Sequence, residues 1–240
     1  MGPLLPLARN FPDSVRHQEL AHCGQQEIWD QPQRLTELNA QVLLIVGYGS
    51  IGRELARRAT AFDMRVWGVT RSGQGDTTYA EKIVPVSELH QMLPHADFVV
   101  IAALETPETR HLIGAAELAR MKPSARVVIV SRGSLLDEMA PVQALKEPRP
   151  GGAALDVTAI EPLAPESPLW KTPHLMITHY TSAVSDRLWK RQTESQAELL
   201  ERWFGGRELF NRFREAFRPR GAGAGQSPTP PLGAVYPSLA

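Results

Sequence analysis

Short apolar runs alternate with amphipathic stretches along most of this chain. Successive apolar positions, typical of strands that are buried on both faces, occupy residues 42–46, 65–69, 98–104, 126–130 and 174–178. Segments with helical spacing separate them. One of these, 51–62, is followed by Asp63, a residue type that tolerates the left-handed conformation of a helix stop. The alternation predicts an α/β fold, a doubly wound parallel sheet of the Rossmann type.

The pattern changes on either side of this core, which we assign to residues 41–185. Residues 1–40 precede it. After it, apolar positions recur at helical spacing over 186–205 and Gly205-Gly206 provides a stop, so we predict a C-terminal helix within 186–215. Residues 216–240 are rich in proline and glycine and have little to bury, which predicts a disordered tail.

Composition narrows the functional classes. Lys+Arg and Asp+Glu each number 26, so the net charge is zero, and neither nucleic-acid nor membrane binding is expected. The apolar runs are too short to span a bilayer, which takes ~20 residues. Cys23 is the single cysteine. It allows no intrachain disulfide and no cysteine-based metal cluster, and no metal site is predicted; a reducing, cytoplasmic setting fits.

A glycine-rich turn follows the first strand directly. Gly47, Gly49 and Gly52 form G-x-G-x-x-G, with Ser50 and Ile51 between the last two glycines at the start of a helix. The first glycine permits the tight turn, the second lets a diphosphate approach the backbone, and the third allows close helix–strand packing. The free N–H groups of the helix start would face the anion. The turn in this context predicts dinucleotide binding.

The end of the second strand bears on which dinucleotide binds. A carboxylate there would accept hydrogen bonds from the ribose 2′-OH of NAD and would repel the 2′-phosphate of NADP. This chain has Thr70-Arg71-Ser72 instead, which offers a cation and hydroxyl donors. We therefore expect NADP(H) to be preferred, with NAD(H) as the alternative.

Longer motifs carry a more specific resemblance. The stretches "SRGSLLDE", "GGAALDVTAIEPLAPESPLW" and "HLMITHY", together with the glycine turn, resemble the D-isomer-specific 2-hydroxyacid dehydrogenase family. The resemblance implies that Arg132, Glu161 and His179 act on a 2-keto acid held against the nicotinamide. It also implies that Leu104 and Asp156 lie beside the cofactor. Arginine suits the carboxylate and histidine the proton transfer, because an imidazole exchanges protons near neutral pH.

The position of the histidine depends on the alignment. Members of the family usually have Thr-Pro-His where this chain has Thr178 followed directly by His179. Without a gap, Tyr180 takes the histidine position; with one deletion, His179 takes it. We choose His179, because a phenol with an ordinary pKa near ~10 transfers protons less readily at neutral pH.

The resemblance also implies an activity and an assembly. It predicts an NADP-preferring oxidoreductase that reduces a small 2-keto acid such as glyoxylate or hydroxypyruvate. Residues 1–40 match a connecting helix and dimerisation arm, which predicts a homodimer. Because only 46 residues precede Gly47, we expect a truncated substrate domain and poor turnover. The alternatives are a non-catalytic NAD(P)-binding module with a regulatory role and a truncated product without a stable function.

Overall fold

The computed structural model describes residues 1–31, 35–146 and 150–210. Two compact units follow one another along the chain: Met1–Ser185, and a second that begins at Asp186. The tail predicted over 216–240 and the last residues of the segment 186–215 lie outside the described residues. None of the helices formed by the described residues combines the length and the apolar character that a bilayer crossing needs.

The first unit is organised around a seven-stranded sheet in which all strands are parallel. The strands are β1 Val42–Val46, β2 Arg65–Thr70, β3 Lys82–Pro85, β4 Phe98–Ile101, β5 Arg126–Ile129, β6 Gly152–Leu155 and β7 Leu175–Ile177. Their spatial order is β3-β2-β1-β4-β5-β6-β7. The order runs outward in both directions from β1 and β4, so the doubly wound Rossmann-type fold is confirmed.

The helices of the first unit lie between the strands in the chain, apart from three that precede β1. They are α1 Leu4–Ala8, α2 Phe11–Glu19, α3 Gln25–Trp29, α4 Ser50–Thr60, α5 Leu89–Met92, α6 Ala115–Arg120 and α7 Met139–Ala144. Helix α4 matches the predicted segment 51–62 within two residues at its end. Asp63 has φ of 55°, so it adopts the left-handed conformation that was expected at this stop.

Each of the five predicted strands is present, and two more were not predicted. The run 98–104 ends as a strand at Ile101, because the chain then leaves the sheet for the loop toward α6. Strand β3 is half-exposed and contains Lys82 and Pro85, which suit an edge strand. Strand β6 has three small residues followed by Leu155 and is fully buried between β5 and β7.

The core lies on both faces of the sheet. Leu44 and Ile101 belong to one buried cluster and Leu43 and Ile45 to the other, as alternation along the strands requires. Helix α1 belongs to the second cluster, and the buried Arg126 donates through Nε to the carbonyl of Leu7, 3.3 Å away. Residues at the amino end of the chain are therefore part of the same folded unit as the sheet.

The second unit contains α8, Leu188–Phe204. Gly205 caps the carboxyl end of α8, and Gly206 has a left-handed φ of 62°. The predicted helix stop at these two glycines is therefore confirmed. The large apolar side chains of α8 are exposed: Trp189, Leu200, Trp203 and Phe204.

Candidate active site

The carboxyl ends of β1 and β4 meet where the strand order reverses direction. In open α/β sheets this crevice is the usual place for a ligand. The glycine turn follows β1 there, and Gly47 donates its N–H to the carbonyl of Val69 on the neighbouring strand at 3.0 Å. Loops after β5, β6 and β7 extend along the same edge. Every predicted site residue comes from this edge of the sheet.

Two of the three glycines are required by the backbone. Gly47 has φ of +95°, and a Cβ added there would overlap the backbone of Ala103 in the chain after β4. At Gly52 an added Cβ would lie 2.7 Å from the carbonyl oxygen of Gly47 and 3.1 Å from Cγ2 of Ile45. The lack of a side chain at these two positions permits the turn and lets α4 lie close to β1.

Gly49 differs, because a Cβ added there would meet no atom of the described residues within 4 Å. No side chain caps α4 within the described ranges, and none of their acceptors takes the N–H groups of Ser50, Ile51 and Gly52. These amides stand at the positive end of the helix dipole. The open space beside Gly49 and the free amides fit a diphosphate group.

Tyr48, within the turn, was not identified from the sequence. Its ring is buried against Gly68 of β2, where an added Cβ would lie 2.8 Å from the ring. In the part of the chain that the structure describes, its hydroxyl has no hydrogen-bond partner. Burial raises the pKa of Tyr48, and the charge of Asp76 raises it further against the opposing effect of Arg53. The sequence feature that could have indicated this packing is Gly68 in β2, since a glycine in a strand leaves room for an aromatic ring.

The loop after β2 carries the residues predicted to select the cofactor. The Thr70 hydroxyl donates to the carbonyl of Gln74 at 3.1 Å, while Arg71 and Ser72 are exposed. Among residues 1–31, 35–146 and 150–210, no carboxylate pairs with Arg71. The loop does contain a carboxylate that sequence reasoning passed over. Asp76 lies 3.7 Å from Arg53 of α4, and hydrogen bonds from Thr78 lower the pKa of Asp76.

A cleft of about 320 Å³ lies at the ends of β5, β6 and β7. Its lining residues are Glu105, Arg132, Gly133, Ser134, Val157, Thr158, Ala159, Glu161 and Tyr180. Two predicted catalytic residues, Arg132 and Glu161, are thus brought together. A larger cavity of about 430 Å³, beside α1 and the end of α4, has none of the predicted site residues in its lining.

Backbone packing at the cleft places Arg132 and Glu161. A Cβ added at Gly133 would overlap the carbonyl group of Thr158, so the loops after β5 and β6 are in direct contact. The N–H of Thr158 donates to Oε1 of Glu161 at 3.1 Å, and the N–H of Ala159 donates to Oε1 of Glu138. The guanidinium and the carboxylate therefore project from loops that brace each other.

Arg132 forms a hydrogen bond with Tyr180 and none with His179. Nη1 of Arg132 donates to the Tyr180 hydroxyl and to the carbonyl of Ser131, each at 2.8 Å. His179 is exposed, and its ring centroid lies 6.2 Å from that of Trp170. It is not among the residues that line the cleft. Tyr180 has φ of 55°, so the backbone takes the left-handed conformation at this residue.

Asp156 explains why the chain turns there. Its buried carboxylate accepts hydrogen bonds from the Thr178 hydroxyl, from the N–H and hydroxyl of Thr181, and from the N–H of Ser182. Its carbonyl accepts from the N–H of Tyr180 at 2.9 Å. Burial alone would raise the pKa of Asp156, but these hydrogen bonds outweigh it and lower the pKa. The residue predicted to lie beside the nicotinamide is thus engaged in holding the loop 178–182.

The loop after β4 supplies the remaining predicted residue. Leu104 is 71% exposed, and its carbonyl accepts a hydrogen bond from the Thr109 hydroxyl at 2.8 Å. This leucine thus presents an apolar side chain to solvent at the carboxyl edge of the sheet. Its neighbour Glu105 lines the cleft with Arg132, so the cleft contains charges of both signs.

The chain is similar to known proteins over most of its length. The protein-family model "D-isomer specific 2-hydroxyacid dehydrogenase, NAD binding domain" matches residues 1–182. D-3-phosphoglycerate dehydrogenase of Methanocaldococcus jannaschii is 32% identical over 86% of this chain and 38% of that protein. Glyoxylate reductase of Korarchaeum cryptofilum is 36% identical over 68% of this chain and 49% of that protein.

The fold also matches solved structures. A crystal structure of a D-isomer specific 2-hydroxyacid dehydrogenase family protein from Aeromonas salmonicida superposes with a TM-score of 0.74 at 31% identity. The match covers 89% of this chain and 66% of that one. The chain thus spans 38% and 49% of the length of the two curated relatives.

Proposed function

Because the chain belongs to the D-isomer specific 2-hydroxyacid dehydrogenase family, we propose that it binds a nicotinamide dinucleotide and reduces a small 2-keto acid. The observation that carries the proposal is the cleft that brings Arg132, Glu161 and Tyr180 together at the sheet edge of the glycine turn. Glyoxylate and hydroxypyruvate represent the substrate class, since a cleft of about 320 Å³ accommodates a molecule of this size.

The residues have separate tasks in this proposal. The diphosphate of the dinucleotide is held by the amides of Ser50, Ile51 and Gly52 in the space beside Gly49, with Leu104 under the nicotinamide half. When bound, the nicotinamide supplies the hydride. Arg132 binds the carboxylate of the keto acid, because a guanidinium forms paired, charge-assisted hydrogen bonds with a carboxylate.

Two neighbouring residues are candidates for the proton donor, because the motif points to His179 and the cleft contains Tyr180. We propose His179, with Glu161 as its partner, by the resemblance of the motif, and Tyr180 as the alternative favoured by position. Variants His179→Gln and Tyr180→Phe distinguish them through kcat at a fixed pH. If His179 is the donor, His179→Gln lowers kcat by at least 100-fold, in line with the usual effect of general acid catalysis, while NADPH affinity is unchanged. A loss of kcat in Tyr180→Phe alone would assign the proton to Tyr180.

We propose NADP(H) as the preferred cofactor, with NAD(H) as the alternative. Arg71 has no carboxylate partner among the described residues, and Asp76 pairs with Arg53, which supports the availability of Arg71 for a 2′-phosphate. Titration of the chain with NADPH and NADH measures the preference. We expect Arg71→Ala to weaken NADPH binding at least fivefold and NADH binding less than twofold. Arg120→Ala, an exposed arginine at the end of α6, is the matched control.

A non-catalytic dinucleotide-binding module is the second candidate. It is favoured by the location of His179, which packs near Trp170 and does not line the cleft. The test follows NADPH oxidation with glyoxylate, hydroxypyruvate and pyruvate on the preparation used for the titrations. NADPH binding without turnover, unchanged in Arg132→Ala, would support the module. Turnover above the blank that Arg132→Ala abolishes would support the dehydrogenase.

We further propose a homodimer formed through residues 4–40 in a reducing, cytoplasmic compartment. The apolar side chains Phe11, Val15, Leu20 and Trp29 of this segment are at least half-exposed, which supports a contact surface there. Cys23 is exposed, and a reducing compartment keeps such a thiol free. Sedimentation at micromolar concentration tests the assembly: a monomer would contradict it, and a dimer that Trp29→Ser dissociates would support it.

A further inference from the structure

The turn between α2 and α3 brings two imidazoles together. The N–H of His22 donates to the carbonyl of His17 at 2.9 Å, and the N–H of Ala21 donates to that of Gln18 at 3.0 Å. Ala21 is left-handed, with φ of 49°. This is a Schellman ending, in which the residue after the left-handed position returns beside the third residue from the helix end. That pair usually makes an apolar contact, and here it consists of His17 and His22, with ring centroids 5.2 Å apart.

Helix α3 then adds a carboxylate to the pair. Oε1 of Glu27 lies 2.5 Å from Nε2 of His22, and Oε2 of Glu27 lies 3.6 Å from Nε2 of His17. The ring of His17 is held against Gly24, where any Cβ would overlap it. Its Nδ1 is buried and has no hydrogen-bond partner in the described residues. The nitrogen that faces the other two side chains is therefore Nε2.

We propose that His17, His22 and Glu27 bind a divalent transition-metal ion, with zinc as the best match. One ligand atom from each residue lies within 4.8 Å of the other two. Bonds of about 2.0–2.1 Å in a tetrahedral zinc site place neighbouring donors roughly 3.3 Å apart. The observed separations from the carboxylate, 2.5 and 3.6 Å, lie on either side of that value. Two imidazoles and a carboxylate form a donor set that zinc accepts, with the fourth position left to water.

The chain offers a matched control for the site. Nε2 of His90 lies 2.7 Å from Oε1 of Glu117, and this pair, in which only His90 is exposed, joins the same two groups as His22 with Glu27. It lacks the second imidazole that the proposed site has. If metal binding needs the convergence of three donors, the pair at His90 contributes nothing, and removal of His90 is without effect.

The experiment is equilibrium dialysis of the full, untagged chain against Zn²⁺ alone, with bound metal quantified by mass spectrometry. We expect saturable binding of one equivalent, weakened at least tenfold in His17→Gln, His22→Gln and Glu27→Gln. Binding in His90→Gln should stay within twofold of the original. Zn²⁺ should also raise the Tm of the original chain and of His90→Gln but not of His22→Gln, since a ligand of the folded state stabilises it.

Other results would overturn the proposal. Absence of saturable binding, or an unchanged affinity in His22→Gln, would show that the three side chains form only a hydrogen-bonded cluster. Cys23 adjoins His22 and is exposed, so Cys23→Ser is measured in parallel. We expect this variant to bind zinc within twofold of the original chain. Loss of binding in Cys23→Ser with retention in His17→Gln would assign the metal to the thiol and contradict the site.

Discussion

A methyl group added at Gly49 would stand in open space, and for this reason Gly49→Ala separates folding from nucleotide binding. The backbone there has φ of −93°, which any residue adopts, and no described atom lies within 4 Å of the added carbon. The change removes a good helix N-cap residue, at a cost of about 0.5–1 kcal/mol. It also restricts the unfolded chain, which returns ~0.4–1 kcal/mol. We expect the free energy of unfolding to change by less than about 1 kcal/mol.

Nucleotide binding should respond differently. The methyl group would occupy the space that a diphosphate needs to reach the amides of Ser50, Ile51 and Gly52. We expect the Kd for NADPH to rise at least tenfold, equivalent to about 1.4 kcal/mol. Titration by calorimetry and thermal melting of the same sample measure the two effects. A folded Gly49→Ala variant that binds NADPH with the original affinity would refute the assignment of the space to the diphosphate.

Gly52→Ala is the matched contrast. Its added carbon would lie 2.7 Å from the carbonyl of Gly47, so α4 would have to move away from β1. Strain of this kind costs about 1–3 kcal/mol. For a domain of this size each kcal/mol shifts Tm by roughly 2–4 °C. We therefore expect a clear loss of Tm in Gly52→Ala and little change in Gly49→Ala. Equal losses in the two variants would contradict the geometry.

Three further predictions concern the cleft and the loops that form it. Asp156→Asn should lower stability at pH 7 by ~1.5–3 kcal/mol, because charge-assisted hydrogen bonds to the loop are weakened. The pKa of Asp156 is lowered in the folded state, so its contribution is present above the unfolded value of ~3.9 and is lost as the pH falls through the folded pKa. Gly133→Ala should cost about 1–3 kcal/mol in urea unfolding, since its Cβ would overlap Thr158. Tyr180→Phe frees Arg132 from a 2.8 Å hydrogen bond and should raise KM for glyoxylate roughly threefold or more, with unchanged NADPH affinity.

Each of these has an outcome that contradicts it. A stability difference between Asp156→Asn and the original chain that stays constant from pH 7 to pH 3 would mean that the carboxylate carries no charge-dependent role. Urea unfolding of Gly133→Ala at the original midpoint would show that the two loops are not in contact. For Tyr180→Phe, an unchanged KM would indicate that the hydroxyl does not orient the guanidinium.

The strands that could be predicted from the sequence are those rich in aliphatic residues, which favour extended structure. Strand β1, with five consecutive buried aliphatic residues, is recognisable without its neighbours. Strand β6 is not, because glycine and alanine have little preference for extended structure. It is a strand since β5 and β7 pair with both of its edges. Strand β3 ends in a proline and is only half-buried, so its pattern resembles that of a loop.

The site was predictable as far as motifs fix positions along the chain. Arg132 and Glu161 were placed in one cleft by their motifs, and the structure brings them together. The choice between His179 and Tyr180 depends on how the backbone turns after β7. That turn is set by Asp156, whose hydrogen bonds span more than 20 residues of sequence. No local pattern contains that information.

The carboxyl ends of the parallel strands carry two sets of loops that contain the proposed site residues. Gly49 and Arg71 follow β1 and β2 on one side of the reversal, whereas Arg132, Glu161 and Tyr180 follow β5, β6 and β7 on the other. In the proposed function, coenzyme preference depends on the loop after β2 and substrate binding on the loops after β5, β6 and β7, so exchange of one set of loops would leave the sequence of the other unchanged. The proposal thus allows the two specificities to change separately within one fold.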